Sequence, residues 1–212
     1  SSAASDVYKR QVKRCLQLVK TLYLMRHGQT VFNLKGKIQG ASDSPLTALG
    51  VQQANAAQQY FKTKNIHFDY LYSSPQQRAC DTLENAVPNQ QYWCVKDLKE
   101  WGFGLFEGES IELLRAIKQP KYLYGDAVVP FGGESRSEVE QRVYRALYEM
   151  MDTTDGETIL AVSHGSTIGL FVRNILGYDK GSKFEIGNCN IVKFEYDGEE
   201  FIFKDLINPI IK

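Results

Sequence analysis

The sequence has no excess of charge of either sign. Its 212 residues contain 25 Lys and Arg against 25 Asp and Glu, so the formal net charge is zero. Proteins that bind nucleic acids or membrane surfaces usually carry a basic excess, and the balanced composition argues against both partners. Any anion site must therefore be a local concentration of basic side chains.

Long apolar runs are also missing. No segment approaches the roughly 18 consecutive apolar residues that a membrane-spanning helix needs. Residues 1–19 are polar and lack the apolar core of a signal peptide, and we expect them to form a tail-like or tag-like extension outside the functional domain. Residues 20–212 are long enough for one sizeable domain.

Cysteine is scarce and dispersed, and metal-ligand spacings are absent. The four cysteines form no C-x-x-C pair and no zinc-like cluster (Cys15, Cys80, Cys94 and Cys189). Reduced thiols in a cytoplasmic protein are the simplest interpretation, because disulfides follow the redox state of the compartment. His, Asp and Glu are not clustered either, so we expect no metal ion and no other cofactor.

Apolar runs alternate with helical patterns along the chain. Strands are predicted at 21–26, 68–74, 92–95 and 158–163, helices at 44–64, 76–87, 134–151 and 166–176, and a hairpin with an Asp-Gly turn at 189–207. Residues 96–133 are glycine-rich and predict a loop-rich insertion with a short helix near 110–118. The alternation predicts a three-layer α/β/α sandwich with a mostly parallel central sheet.

Several helix termini have recognisable signals. Thr47 is predicted to cap the helix at 44–64, Ser74 and Pro75 to begin the helix at 76–87, and Glu134 and Ser135 to cap the helix at 134–151. The core-facing side of the helix at 44–64 is predicted to carry Leu49, Ala56, Ala57 and Tyr60. The same periodicity on the helix at 134–151 predicts a buried stripe of Val139, Val143, Ala146, Leu147 and Met150.

Two of only three histidines end apolar runs. His27 closes the run in "LYLMRHGQT" (22–30), and His164 closes the run in "ILAVSHGST" (159–167). In α/β folds ligands bind beyond the carboxyl ends of the strands. The glycine after each histidine allows close backbone approach, and a following helix N-terminus offers free amides. The pattern therefore predicts that both histidines face one ligand site.

Two arginines at strand-to-helix junctions suggest which ligand this is. Arg26 precedes the first histidine, and Arg78 lies in the first turn of the helix after "LYSSP". Guanidinium forks suit the oxygens of phosphate. An imidazole beside them can attack phosphorus and form a phosphohistidine, and a second imidazole, if protonated, can donate to the transferring oxygens. The arginines would then supply the charge neutralisation that magnesium gives elsewhere.

Six segments in this order resemble the histidine phosphatase superfamily, the phosphoglycerate-mutase-like proteins. They are "LMRHGQT", "LTALGVQQA", "LYSSPQQRACDT", "LKEWGFGLFEG", "GGES" and "VSHGST", and the resemblance covers residues 20–207. It implies a phosphoglycerate-mutase-like fold and metal-independent chemistry, with His27 as the nucleophile. Arg26, Arg78 and His164 would complete the phosphate pocket, and the Asn33 side chain and the Gly165 amide would contact phosphate oxygens.

The resemblance also assigns the proton donor for the leaving group. Glu100 and Glu107 compete in "LKEWGFGLFEGES", and the family motif matches Glu100, which leaves Glu107 a structural role. Trp101 and Phe103 are expected to exclude water from Glu100 and raise its pKa. The remaining candidates are assigned no functional role: we expect His67 to be a surface residue and Asp43 to be a turn residue. Four aromatic residues could line a pocket wall or belong to the core (Trp101, Tyr122, Tyr124 and Phe131).

Three functions remain open at this point. The "LKEWGFGLFEG" segment is closer to the broad-specificity phosphatase branch, which predicts a phosphatase for small phosphorylated metabolites. The alternatives are a cofactor-dependent phosphoglycerate mutase and a non-catalytic binder of phosphorylated ligands. A mutase must shelter its phosphohistidine from water, and the stretch 101–131 is short for such a lid and lacks an added basic clamp. Nothing in the sequence specifies an oligomeric state.

Overall fold

The computed structural model describes residues 19–117 and 124–210. The predicted N-terminal extension, with Cys15, lies outside the described residues except for its last residue, Val19. Tyr122 also lies outside them. Within the described ranges, no helix is long and apolar enough to cross a membrane.

One six-stranded sheet organises the chain. Its strands are β1 (Lys20–Arg26), β2 (Tyr70–Ser73), β3 (Trp93–Cys94), β4 (Thr158–Ser163), β5 (Ile191–Tyr196) and β6 (Phe201–Ile207), in the order β3-β2-β4-β1-β5-β6. Strands β1 to β4 pair only in parallel with one another: β3 with β2, β2 with β4, and β4 with β1. Strand β5 pairs antiparallel with β1, and β6 pairs antiparallel with β5 and forms one edge of the sheet. The predicted mostly parallel sheet is thus confirmed.

Helices cover both faces of this sheet. They are α1 (Val31–Leu34), α2 (Ala48–Thr63), α3 (Gln77–Ala86), α4 (Ile111–Ile117), α5 (Arg136–Thr153), α6 (Gly165–Leu176) and α7 (Tyr178–Gly181). The insertion at 96–133 contains α4 and three short 3₁₀ turns, at Lys96–Leu98, Gly104–Phe106 and Val129–Phe131. The remaining described residues of this segment form turns and loops.

Strand β1 shows why the fold has three layers. Its alternate side chains Leu22 and Leu24 are buried in a core with α5 and α6, whereas Tyr23 and Met25 are buried in a second core with α2 and α3. A strand that is apolar on both sides belongs in the middle of a sheet covered on both faces. The predicted buried stripe of α5 lies in the first core in full (Val139, Val143, Ala146, Leu147 and Met150).

Three local predictions need correction. Leu49 is 47% exposed and Ala56 and Tyr60 are half-buried, whereas Ala57 is buried as predicted; the other buried residues of α2 are Gly50, Ala54 and Phe61. Helix α3 begins at Gln77, with Gln76 rather than Ser74 at the N-cap position and no side-chain cap; the Ser74 hydroxyl bonds to His164 and accepts from the Gln76 amide at 3.4 Å. Ser135 does cap α5, together with Glu138, whereas the Glu134 carboxylate accepts from Arg142 and does not cap the helix.

The described cysteines are free thiols, as predicted. Cys80 and Cys189 are buried and Cys94 is exposed. The fold nevertheless brings Cys80 and Cys94 together, with their Sγ atoms 4.0 Å apart, although they are distant in sequence.

Candidate active site

The pairing of β1 with β4 brings the two His-Gly segments together. The strands are parallel and in register, with Arg26 opposite Ser163, so both strands end at the same level. The His27 amide then donates to the Ser163 carbonyl at 3.0 Å. The imidazole rings of His27 and His164 lie 5.2 Å apart between centroids. The predicted convergence of these two histidines is present.

His27 has a defined tautomer. Its Nδ1 lies 2.7 Å from the carbonyl oxygen of Gly28, which can only accept, so Nδ1 carries the hydrogen and Nε2 keeps its lone pair. The side chain is 3% exposed. Burial, with the positive charges of Arg26 and Arg78, holds the His27 pKa well below its usual value, so the imidazole is neutral near pH 7. His27 therefore has an unprotonated ring nitrogen available as a nucleophile.

Gly28 serves packing rather than ligand approach. A Cβ built at Gly28 would lie 2.6 Å from the carbonyl oxygen of Gly50 on α2. The backbones of the two segments therefore touch directly at this point. This contact, together with the Gly28 amide bond to Thr82 at 2.9 Å, fixes the backbone on which His27 stands.

His164 is fully buried behind the first histidine. Its Nε2 lies 2.8 Å from the Ser74 hydroxyl, and its Nδ1 has no hydrogen-bond partner. Burial is the main cause that holds the His164 pKa well below its usual value, with contributions from Arg78 and His27. The ring is therefore neutral, in contrast to the protonated form considered from the sequence. A hydroxyl proton donated by Ser74 to Nε2 would leave Nδ1–H free to donate.

Arg78 is 0% exposed and held by a loop. Its Nη1 donates to the Ser42 carbonyl and to Asp43 Oδ1, and its Nη2 donates to the Gly40 carbonyl, each at 2.9 Å. Its Nε has no partner. Asp43, predicted as a turn residue, thus also orients an arginine 35 positions away. No local sequence signal marks that contact.

Glu107 organises the same loop. Its carboxylate accepts from the backbone amides of Ala41 at 2.9 Å, Ser42 at 2.8 Å and Phe103 at 3.0 Å. These bonds connect two segments. One is the loop whose oxygen atoms accept from Arg78, and the other is the insertion that follows β3. The structural role predicted for Glu107 agrees with this geometry.

Arg26 lies against the start of α6. Its Nη1 donates to the Ile186 carbonyl at 2.7 Å, and its Nε is buried without a partner. A Cβ at Gly165 would lie 3.1 Å from the Arg26 guanidinium carbon, so any larger residue would crowd the guanidinium group. Gly165 is also the first residue of α6, where a backbone N–H has no acceptor within the helix.

Asn33 is oriented by its own helix terminus. Its Oδ1 accepts from the Thr30 amide at 3.1 Å and from Asn188 Nδ2 at 3.3 Å. Its amide nitrogen is therefore the group left for a ligand. Asn188 also donates to the His27 carbonyl at 3.0 Å, a link between the hairpin side and the nucleophile that sequence reasoning did not identify.

Glu100 meets the N-terminus of α6. Its Oε1 accepts from the Trp101 amide at 2.8 Å and from the Thr167 amide and hydroxyl at 3.0 Å, and its Oε2 accepts from the Ser166 amide at 3.1 Å. A carboxylate at a helix N-terminus is favoured by the helix dipole. To reach a bound ligand, Glu100 must exchange one of these contacts.

These side chains line a cavity of about 590 Å³. Its wall includes Arg26, His27, Asn33, Arg78, Glu100 and Gly165, with His164 behind them. Among the aromatic candidates, Tyr124 lines the cavity, as do Phe103 and Phe184. Trp101 is buried in the core, and Phe131 is 45% exposed away from the cavity. His67 is at the surface, as predicted.

Unsatisfied donors concentrate at this cavity. Across residues 19–117 and 124–210, the buried side-chain nitrogens without a partner are Arg26 Nε, Arg78 Nε, His164 Nδ1 and Arg173 Nε. Buried polar atoms almost always have partners, so a cluster of exceptions indicates a ligand. Within the same ranges, no three His, Cys, Asp or Glu side chains are grouped to hold a metal ion. The arrangement is suited to an oxyanion beside an imidazole nucleophile.

Comparison with known proteins identifies the family of this chain. The family model of the histidine phosphatase superfamily (branch 1) matches residues 22–209. A protein of Salmonella choleraesuis named probable phosphoglycerate mutase GpmB is 32% identical over 85% of this chain and 87% of its own. The solved phosphoglycerate mutase from Bacillus anthracis is 26% identical, with a TM-score of 0.78 over 89% and 93% of the two chains. The solved phosphoserine phosphatase from Entamoeba histolytica, in complex with 3-phosphoglyceric acid, is 33% identical, with a TM-score of 0.74 over 88% and 96%.

The tautomer of His27 can be tested directly. We expect ¹⁵N-detected NMR of the protein at pH 7 to show His27 as a neutral imidazole protonated at Nδ1, because the Gly28 carbonyl accepts that proton and burial disfavours the imidazolium. The exposed His67 provides the internal reference signal. An imidazolium pattern for His27 at this pH, or a proton on Nε2, would contradict the geometry.

Proposed function

The chain belongs to the histidine phosphatase superfamily (branch 1), and on that basis we propose that it is a metal-independent phosphatase that hydrolyses small phosphate monoesters through a phosphohistidine intermediate. The observation that carries the proposal is the neutral His27, with its Nε2 lone pair beside the unpartnered nitrogens of Arg26, Arg78 and His164. The relative named phosphoserine phosphatase, with its bound 3-phosphoglyceric acid, supports a small phosphorylated metabolite as the substrate class.

Substrate binding would complete the unsatisfied hydrogen bonds. The phosphate oxygens would accept from Arg26 Nε, Arg78 Nε, the Asn33 amide group, the Gly165 N–H and His164 Nδ1–H. Bonds between charged donors and phosphate are strong, and these donors are held in place before the substrate arrives. The guanidinium groups would neutralise the charge that makes a phosphate monoester resist attack.

Hydrolysis would then proceed in two steps. In the first, Nε2 of His27 forms a bond to phosphorus while the ester P–O bond breaks and Glu100, as the carboxylic acid, protonates the leaving oxygen. In the second, water attacks the phosphohistidine, the N–P bond breaks and the Glu100 carboxylate takes the proton from that water. Throughout, Nδ1–H of His27 stays bonded to the Gly28 carbonyl, which holds the ring in line.

A phosphoglycerate mutase is the second candidate. It is favoured by a specific finding: the relative named probable phosphoglycerate mutase matches this chain over 87% of its own length. Because that relative is of similar length, the short stretch 101–131 does not by itself separate the two activities, in contrast to the argument from the sequence. Both enzymes need the same phosphohistidine and differ in whether water or a second hydroxyl accepts the phosphoryl group.

Replacing His27 by Ala should reduce phosphate release to background while the fold is retained, because the nucleophile is removed. His67→Ala is the matched control, since this exposed histidine contacts Asn65 only through a 3.2 Å hydrogen bond. Rapid quenching of the unaltered enzyme should trap a phosphoryl group that is labile in acid and stable in base, as expected of a phosphoramidate. Undiminished turnover in the His27 variant would refute the mechanism.

Glu100→Gln should show an effect that depends on the leaving group. Hydrolysis of alkyl phosphates should slow by about 10²–10⁴-fold, because the alkoxide needs a proton, whereas p-nitrophenyl phosphate should be far less affected. Glu185→Gln is the control, since Glu185 is exposed and lines the same cavity. Equal losses on both substrates would mean that Glu100 only positions α6.

The fate of the phosphoryl group separates the two candidates. Incubation with 3-phosphoglycerate, without any bisphosphate, should release inorganic phosphate faster than it forms 2-phosphoglycerate, because a phosphatase uses water as the acceptor. Product ratios can be followed by ³¹P NMR. Rapid interconversion of the two phosphoglycerates with little phosphate released would favour the mutase instead.

A further inference from the structure

Arg173 is a buried cation with no counter-ion. The residue is 8% exposed, its Nη1 donates only to the Gly169 carbonyl of its own helix at 2.8 Å, and its Nε has no partner. It forms no ion pair with any carboxylate in the described ranges. Burial lowers its pKa. A charge that is costly to bury and left unpaired points to a partner outside the protein.

The side chain faces the substrate cavity. Arg173 lines the same cavity as His27, Arg26 and Glu100. Other basic side chains at this cavity are of a different kind: Lys37 is exposed, and the exposed Arg115 is paired with Glu112 at 2.5 Å. Arg173 is therefore the buried, uncompensated cation of the cavity beyond the phosphate pocket.

Helix α6 sets the distance between Arg173 and the phosphate pocket. A Cβ at Gly165 would meet the Arg26 guanidinium, and a Cβ at Gly169 would lie 2.8 Å from Arg173 Nη1. The two glycines are four residues apart, about 6 Å along the helix axis, and lie on one face of the helix, so both guanidinium groups contact that face. Arg173 lies on the side away from the helix N-terminus, where His164 and Gly165 meet the phosphate.

We propose that Arg173 binds a second oxyanion of the substrate, so that the preferred substrate is a small phosphate monoester with a carboxylate a few bonds from the ester oxygen. One guanidinium matches a single negative charge, and its planar fork fits a carboxylate. The phenol of Tyr124, whose pKa is raised by burial, lines the same cavity and stays protonated as a further donor. The proposal rests on the phosphatase function and specifies its substrate class.

A matched pair of substrates tests this role. 3-Phosphoglycerate and glycerol 3-phosphate differ only in a carboxylate that replaces a hydroxymethyl group. The ratio of their kcat/KM values should fall by about 10- to 100-fold in Arg173→Gln, the loss expected for one hydrogen bond to a charged group. Arg173→Lys keeps the charge without the fork and should give an intermediate ratio. Arg115→Gln is the control, because this arginine already has Glu112 as its partner.

The outcomes separate the possible failures. An unchanged ratio in Arg173→Gln, an equal loss on both substrates, or the same fall in Arg115→Gln would overturn the proposal. If a bisphosphate such as fructose 1,6-bisphosphate shows the selective loss and 3-phosphoglycerate does not, the carboxylate assignment is wrong. If the unaltered enzyme hydrolyses neither ester, the phosphatase function fails. The role of Arg173 is then decided by calorimetry. The affinities for 3-phosphoglycerate and glycerol 3-phosphate are measured for the His27→Ala variant and for the double variant that also carries Arg173→Gln.

Discussion

The parallel, in-register pairing of β1 and β4 is the constraint on which the site depends. Because Arg26 lies opposite Ser163, the residues that follow the two strands emerge at one level, and the rings of His27 and His164 come within 5.2 Å. A shift of one residue would turn every side chain of β1 to the other face. It would also exchange the two apolar sets that face the α5–α6 core and the α2–α3 core. Packing of the core therefore fixes the geometry of the nucleophile.

The site has to concentrate positive charge in a chain whose net charge is zero. Arg78 shows how the fold does so: carbonyl oxygens and one carboxylate bind its two terminal nitrogens and leave Nε for a ligand. Arg142, by contrast, is fully engaged by Glu134 and three carbonyls, so it supports the Glu100 segment and is not available to a ligand. The difference between a structural and a functional buried arginine lies in the donors that remain unpaired.

Much of this arrangement could be predicted because its signals are local. The apolar runs that end at His27 and His164 mark strands and their carboxyl ends, and the period of α5 marks its buried face. The predicted N-cap of α3 was wrong because the helix begins two residues later, after Gln76, and the Ser74 hydroxyl also bonds to His164, 90 positions away. The contact of Asp43 with Arg78 crosses two elements and leaves no pattern in either segment. Arg173 did leave a trace, as a single charge within the apolar "IGLFVRNIL" of α6.

The proposed catalytic and substrate-selecting side chains come from different parts of the fold. His27 and His164 directly follow the ends of β1 and β4, and Arg78 lies in the first turn of α3, where the loop residues Ser42 and Asp43 hold it. The outer wall of the cavity comes from elsewhere: Phe103 and Tyr124 from the insertion, Arg173 from the middle of α6, and Phe184 from the turn after α7. Under the proposed mechanism, changes in that wall would alter which ester is accepted without moving the nucleophile. The names of the relatives include both mutases and phosphatases, and this division of the site would let one fold serve both reactions.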